Sequence, residues 1–182
     1  MIEETLEHLV NGNTILYPTD TVWGLGCDAT NSEAVKKIYK IKNREESKSL
    51  IVLVNSLKML QEYVNVPAQA IEVLNKAVKP TTIIYRNPKG IAANIINKED
   101  NTIAIRVVQN EFCEKLIEKF NKPIVSTSAN LSGNPTPKSF IDVEQVILDS
   151  VDYIVNLQQN KVSKRSSTIL KIEGEEIIVI RE

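Results

Sequence analysis

The chain predicts an α/β fold made of one domain with a mixed sheet, and three observations carry that expectation. Segments with apolar residues at helical spacing alternate with short unbroken apolar runs. No internal repeat, low-complexity tract or interdomain linker divides the 182 residues. That length suits one domain able to bury a core without staples.

Residues 2–11 read as a helix ended by Gly12, and residues 13–17 as a strand ended by Pro18. The segment PTDTVWGLGCDAT then reads as a long loop. A helix follows, capped by Asn31 or Ser32, with Ala34, Val35, Ile38 and Ile41 on one face. Residues 50–54 are all apolar, as in a strand buried on both faces. Helices over 56–64 and 67–78 come next, the second with Pro67 at its start. Strands at 81–86 and 102–107, a helix at 110–120, a strand through Ile124-Val125 and a helix at 139–149 follow. Strands at 152–155, 167–172 and 176–181 close the chain, the last two joined as a hairpin by Glu173-Gly174-Glu175. The run Ile177-Ile-Val-Ile180 is almost wholly apolar, so it is expected to lie buried in the sheet and to fix the direction of Arg181.

Composition removes several chemistries. His8 on the first helix is the only histidine, and Cys27 and Cys113 lie far apart, so neither a Ser-His-Asp or Cys-His site nor a zinc site finds its ligands. A net charge of −1 supplies no global attraction to polyanions, so any such binding needs a local cluster. The start, MIEETLEHLVNG, is acidic and helical in pattern rather than a secretory signal, and no apolar run is long enough to span a bilayer. These features point to the cytoplasm and away from a membrane.

Residues 123–139, PIVSTSANLSGNPTPKS, hold six hydroxyl side chains and two Asn but no acid, a composition able to hold an anion by hydrogen bonds. A solvated Ser/Pro loop is the alternative. Ser126 and Ser128 share a direction if the strand continues, with Asn130 one step further. Lys42-Asn43-Arg44 follows the end of a helical pattern, so Lys42 and Arg44 would project together into a cavity with Lys48 near them. Glu45 and Glu46 leave open a solvated charged turn. Ser166-Ser167-Thr168 follows Lys164-Arg165, a second set of hydroxyls beside cations. The stretch Gly24-Leu-Gly26-Cys-Asp-Ala29 matches G-x-G-x-x-A, but Pro18 and the cap at Asn31-Ser32 argue against a dinucleotide turn. Its glycines are read as letting a loop pass close to a ligand or to the sheet. Together the clusters suggest a site that positions a polyphosphate and supplies no nucleophile.

YPTDTVWGLGCDAT resembles the YPTETVYGLGADA segment, KNR with Lys48 the K-x-R region, and STSANLSGNPTP the PSANLSG-x-x-SP segment of the YrdC/Sua5 family. The motifs occur in the family's order over about residues 5 to 181. The resemblance implies one YrdC-like domain over 1–182, a twisted mixed sheet with flanking helices around a large cavity, in the short form of the family. It implies L-threonylcarbamoyladenylate synthase activity, in which L-threonine, bicarbonate and ATP with Mg²⁺ give the adenylate and pyrophosphate for tRNA t6A37 modification.

By position, Lys42 and Arg44 resemble the catalytic K-x-R pair, and Ser128 and Asn130 the nucleotide-holding S-x-N pair. Lys48, Thr136 and Arg181 fall where further ATP contacts are expected. Thr21, Thr82, Arg106, Ser126 and Ser167 match positions of the threonine and adenylate pocket. Glu45 and Thr127 stand where the family has Pro, and Leu53 where long members have a histidine near threonine. No protein ligand for a metal is implied. Expected partners are t6A transfer proteins and tRNA or double-stranded RNA. Two alternatives remain: a YciO-like paralogue without efficient synthase activity, and a double-stranded-RNA-binding module.

Overall fold

The computed structural model describes residues 1–46, 48–163 and 165–182. Among them, nine strands form one mixed sheet in the order β7-β1-β2-β6-β3-β5-β4-β8-β9. In chain order the elements begin with α1 (Ile2–Val10), β1 (Ile15–Tyr17), β2 (Gly24–Gly26), α2 (Ser32–Ile41) and β3 (Ile51–Val54). They continue with α3 (Leu57–Tyr63), α4 (Ala68–Lys76), β4 (Thr81–Arg86), β5 (Thr102–Val107), α5 (Glu111–Phe120) and β6 (Ile124–Ser128). The last are α6 (Gln145–Ser150), β7 (Tyr153–Ile154), β8 (Thr168–Glu173) and β9 (Glu176–Arg181). No helix among the described residues is long and apolar enough to cross a membrane.

The α/β reading holds, and the two helices that flank the site's central strands each have a capping side chain. Asn31 caps α2 by accepting from the backbone N–H groups of Glu33 and Ala34, and Asn110 caps α5 through Cys113 N–H. Their apolar faces, Val35 and Ile38 in α2 and Leu116 and Ile117 in α5, are buried. Strand β3 lies between β5 and β6, and Val52, Leu53 and Val54 are solvent-free, as an all-apolar central strand requires.

Three expectations change. The segment read as one long loop contains β2, paired antiparallel with both β1 and β6. A Gly-Leu-Gly strand shows no period-two pattern, because only one of its three residues has a side chain. The glycines serve the sheet: a Cβ on Gly26 would collide with the carbonyl oxygen of Val125 and stand 2.6 Å from Tyr17 Cε1. The helix expected over 139–149 is a 3₁₀ turn, Phe140–Asp142, followed by the short α6. Strand β9 is not buried. It is the edge strand of the sheet, paired on one side only, with Val179 55% and Ile180 54% exposed. An apolar run specifies a strand but not its rank in the sheet.

The close approach of β2 to β6 sets the base of the site, and it can be tested at one atom. Replacing Gly26 with Ala forces the two strands apart, and urea denaturation should show a loss of about 1–3 kcal/mol. An unchanged midpoint would show that β2 can shift without cost.

Candidate active site

Helix α2 ends in a Schellman turn. Asn43 takes the left-handed conformation at φ 48°, its N–H donates to Lys40 O at 3.1 Å, and Arg44 N–H donates to Tyr39 O at 2.9 Å. The reversal sends the two cations in different directions. Lys42, only 2% exposed, turns inward, and its Nζ donates to Ser128 O at 2.5 Å and to Asn130 O at 2.7 Å. Arg44 stays half-buried on the other side, where Nη2 donates to Ser49 O at 3.0 Å.

The loop after β6 is held from within and from behind. Ser132 N–H donates to Lys42 O at 2.8 Å, and Asn130 Nδ2 donates to Leu131 O and Asn134 O at 3.0 and 2.8 Å. Glu144, just before α6, accepts from Leu131 N–H at 3.1 Å and from Asn134 Nδ2 at 2.6 Å. The loop itself has no acid because its acid comes from outside it. Asn130 Oδ1 and Ser132 Oγ are buried without a partner among the described residues.

A cavity of about 340 Å³ opens between this loop, β5 and the β8–β9 hairpin. Of the residues named from sequence, Thr21, Arg44, Arg106, Ser126, Ser128, Thr136, Ser167 and Arg181 line it. Four do not. Lys42 lies beneath the loop, which corrects the expectation that it projects into the cavity. Asn130 is turned into the loop, and Thr82 sits behind Ser167, donating to its Oγ at 2.9 Å. Lys48 is exposed outside the lining. Lys164 lies outside the described residues. A larger groove of about 690 Å³, between residues 61–67 and the ends of β4 and β8, contains none of the predicted residues.

Three arginines converge on the smaller cavity. Arg181 reaches it from the exposed edge strand, so pairing with β8, not burial, fixes its direction: Nε and Nη2 donate to Ser167 O at 3.1 and 2.9 Å. Burial and the charge of Arg106 hold Arg181 below the ordinary arginine range. Arg106 forms a buried ion pair with Asp20, Nη2 to Oδ1 at 3.0 Å, each side chain 3% exposed. Sequence reasoning passed over Asp20 and Glu144. The signal for Asp20 was its place between Thr19 and Thr21, as the only acid in residues 11–27.

Cys27 and Cys113 are buried, and burial pushes both thiols well above their ordinary range, so neither is poised as a nucleophile. What remains is a pocket whose polar lining is hydroxyls and guanidinium groups, set beside apolar side chains such as Leu50, Ile84 and Ile169, and suited to orienting an anionic substrate and neutralising charge on it. Its volume falls in the range of small-molecule sites.

The family profile described as "Telomere recombination", Sua5/YciO/YrdC, matches residues 7–182. The chain belongs to this family. A protein of Methanocaldococcus jannaschii is 34% identical over 184 residues, covering 100% of this chain and 85% of that protein. The threonylcarbamoyl-AMP synthase of Pseudoalteromonas translucida is 34% identical over 152 residues, 81% of each chain. The crystal structure of P. abyssi Sua5 complexed with L-threonine superposes with a TM-score of 0.88 at 26% identity, over 99% of this chain. This chain spans 53% of that Sua5, about half its length.

Lys42 connects the geometry to a pH dependence. Burial first, and the neighbouring Arg44 second, lower its pKa to about 8, while Glu144 opposes the shift. Between about 8 and the ordinary lysine value near 10.4 the unfolded chain binds more protons than the folded one, so this group alone makes stability rise with pH there. A neutral amine still has two N–H groups for the two carbonyls, so the tie persists while its charge is lost. Affinity for ATP, used as a polyphosphate probe, should therefore fall as pH passes through about 8, without unfolding. Lys42→Met should abolish that pH dependence and, by leaving two carbonyls unpaired, lower stability on the order of 2–4 kcal/mol. Arg44→Ala should weaken ATP with a stability change within about 0.5 kcal/mol. A Lys42→Met protein as stable as its parent would show that the tie is dispensable.

Proposed function

We propose that the chain is an L-threonylcarbamoyladenylate synthase, forming threonylcarbamoyl-AMP and pyrophosphate from L-threonine, bicarbonate and ATP for tRNA t6A37 modification. The observation that carries this reading is the single cavity in which Ser126, Ser128 and Thr136 meet Arg44, Arg106 and Arg181. The synthase relatives and the threonine-bound Sua5 support it, and they do not favour the YciO-like or RNA-binding alternatives.

The cavity has two ends in this reading. Thr21 and Arg106 receive the carboxylate and hydroxyl of threonine, and Arg44, Ser128, Thr136 and Arg181 receive the nucleotide. Ser126 lies between them and Ser167 beside Arg181. The amine of threonine bonds to the carbon of bicarbonate, whose hydroxyl leaves with an amine proton as water, to give a carbamate. A carbamate oxygen then attacks the α-phosphorus, the bond to the β-phosphate oxygen breaks, and pyrophosphate leaves. Arg44 and Arg181 stabilise the charge that develops on the phosphates. Lys42 acts from beneath, holding the Ser128 and Asn130 backbone in place.

Among the described residues, no group of three or more His, Cys, Asp or Glu side chains could hold a metal ion. Serine and threonine hydroxyls at the lining fit an Mg²⁺ ion that arrives on ATP and keeps most of its ligands from phosphate and water. When bound, such an ion neutralises phosphate charge. The labile product would pass to t6A transfer proteins acting on tRNA in the cytoplasm.

Pyrophosphate release measured with ATP and Mg²⁺ should require both L-threonine and bicarbonate. Omission of either should reduce release to background. Release indifferent to the amino acid, or none with all components present, would contradict the synthase reading.

A further inference from the structure

We propose that Asp20 is a positioning residue, which fixes the Arg106 guanidinium at the threonine end of the cavity without lining that cavity itself. The inference rests on the synthase reading. Arg106 stands on β5 opposite Leu53 of β3 and Thr82 of β4. The backbone pairing fixes its Cα, but the guanidinium lies several rotatable bonds away. Neither flanking residue restrains it, because Leu53 has no polar atom and the Thr82 hydroxyl is used by Ser167.

The polar restraint comes from the segment before β2. Asp20 Oδ1 is 3.0 Å from Arg106 Nη2 as a charge pair without hydrogen-bond alignment, and Thr21 Oγ1 accepts from the same nitrogen at 3.3 Å. The carboxylate is itself held, since Asp20 Oδ2 accepts from Gln109 N–H at 3.1 Å. The turn that carries it is closed by Thr19, whose Oγ1 accepts from Thr21 N–H at 3.0 Å and donates to Val22 O at 2.7 Å. Arg106 Nε is buried with no acceptor among the described residues. Asp20 thus occupies one corner of the guanidinium and leaves other N–H groups for a carboxylate, which Arg recognises through paired, charge-assisted hydrogen bonds. Asp20 also offsets one positive charge beside Arg181, whose charge would otherwise drive the two guanidinium groups apart.

The test is titration of L-threonine and, separately, of ATP into the parent, D20N, D20E, R106Q and the D20N/R106Q double variant, alongside steady-state kinetics and thermal melts. D20N should weaken threonine about tenfold or more and raise its KM with kcat and ATP affinity within about twofold. D20E, which restores the charge, should recover most of the loss. Because Asp20 acts through Arg106, the double variant should bind threonine no more weakly than R106Q, a non-additivity that separates coupling from independent damage. Q109P removes the N–H that holds Asp20 Oδ2, together with the Gln109 side chain and some freedom of the backbone at Val108. It should weaken threonine by a few-fold, and it decides the matter if D20N does not fold. Parent-like threonine affinity in D20N, or in Q109P where D20N is unfolded, would overturn the proposal, as would full additivity in the double variant. A parent protein that binds no threonine would instead overturn the synthase reading.

Discussion

The site depends on one buried ammonium. Lys42 leaves the end of α2, crosses beneath the loop after β6 and is held by the carbonyl oxygens of Ser128 and Asn130. A buried cation with two acceptors is expensive to remove, because the carbonyls left behind find no water. This contact joins two segments 86 positions apart, and both carry residues that face the cavity. Arg44 is displayed on one side because Lys42 is drawn in on the other, and the left-handed Asn43 between them makes that division sterically possible.

A second constraint acts from the floor. The glycines of β2 let the strand lie against β6 and Tyr17, whose hydroxyl donates to Val125 O at 2.9 Å. Burial drives the Tyr17 phenol well above its ordinary range, so it acts as a fixed donor in the core beneath the sheet. The polypeptide before β2 then carries Thr19, Asp20 and Thr21 toward Arg106. The same tight packing that excludes a methyl group at Gly26 thereby fixes the position of the Asp20–Arg106 ion pair at one end of the cavity.

Much of the fold was legible in the sequence because local rules coincide there. Asn31 and Asn110 cap helices whose buried faces repeat at helical spacing, and the apolar run of β3 sits in the middle of the sheet as such runs do. The hairpin through Gly174, at φ 60°, was equally local. Strand β2 escaped because glycines carry no pattern, and the exposed edge position of β9 escaped because strand order is a property of the whole sheet. For the site, motif order named eight of the residues that line the cavity. It could not show that Lys42 binds backbone, that Asp20 pairs with Arg106, or that Glu144 holds Leu131 and Asn134, thirteen and ten residues upstream. Those are long-range contacts, visible only once the strands are in place.

The most direct measurement of this account is hydrogen–deuterium exchange over residues 128–136, with and without ATP, in the parent and in Lys42→Met. If the buried ammonium shapes the nucleotide cradle, this segment exchanges slowly in the parent and is protected further by ATP. In Lys42→Met it should exchange at least tenfold faster, a loss of roughly 1.4 kcal/mol of local stability, and gain little protection from ATP. Equal exchange in the two proteins, with equal protection by ATP, would contradict the account.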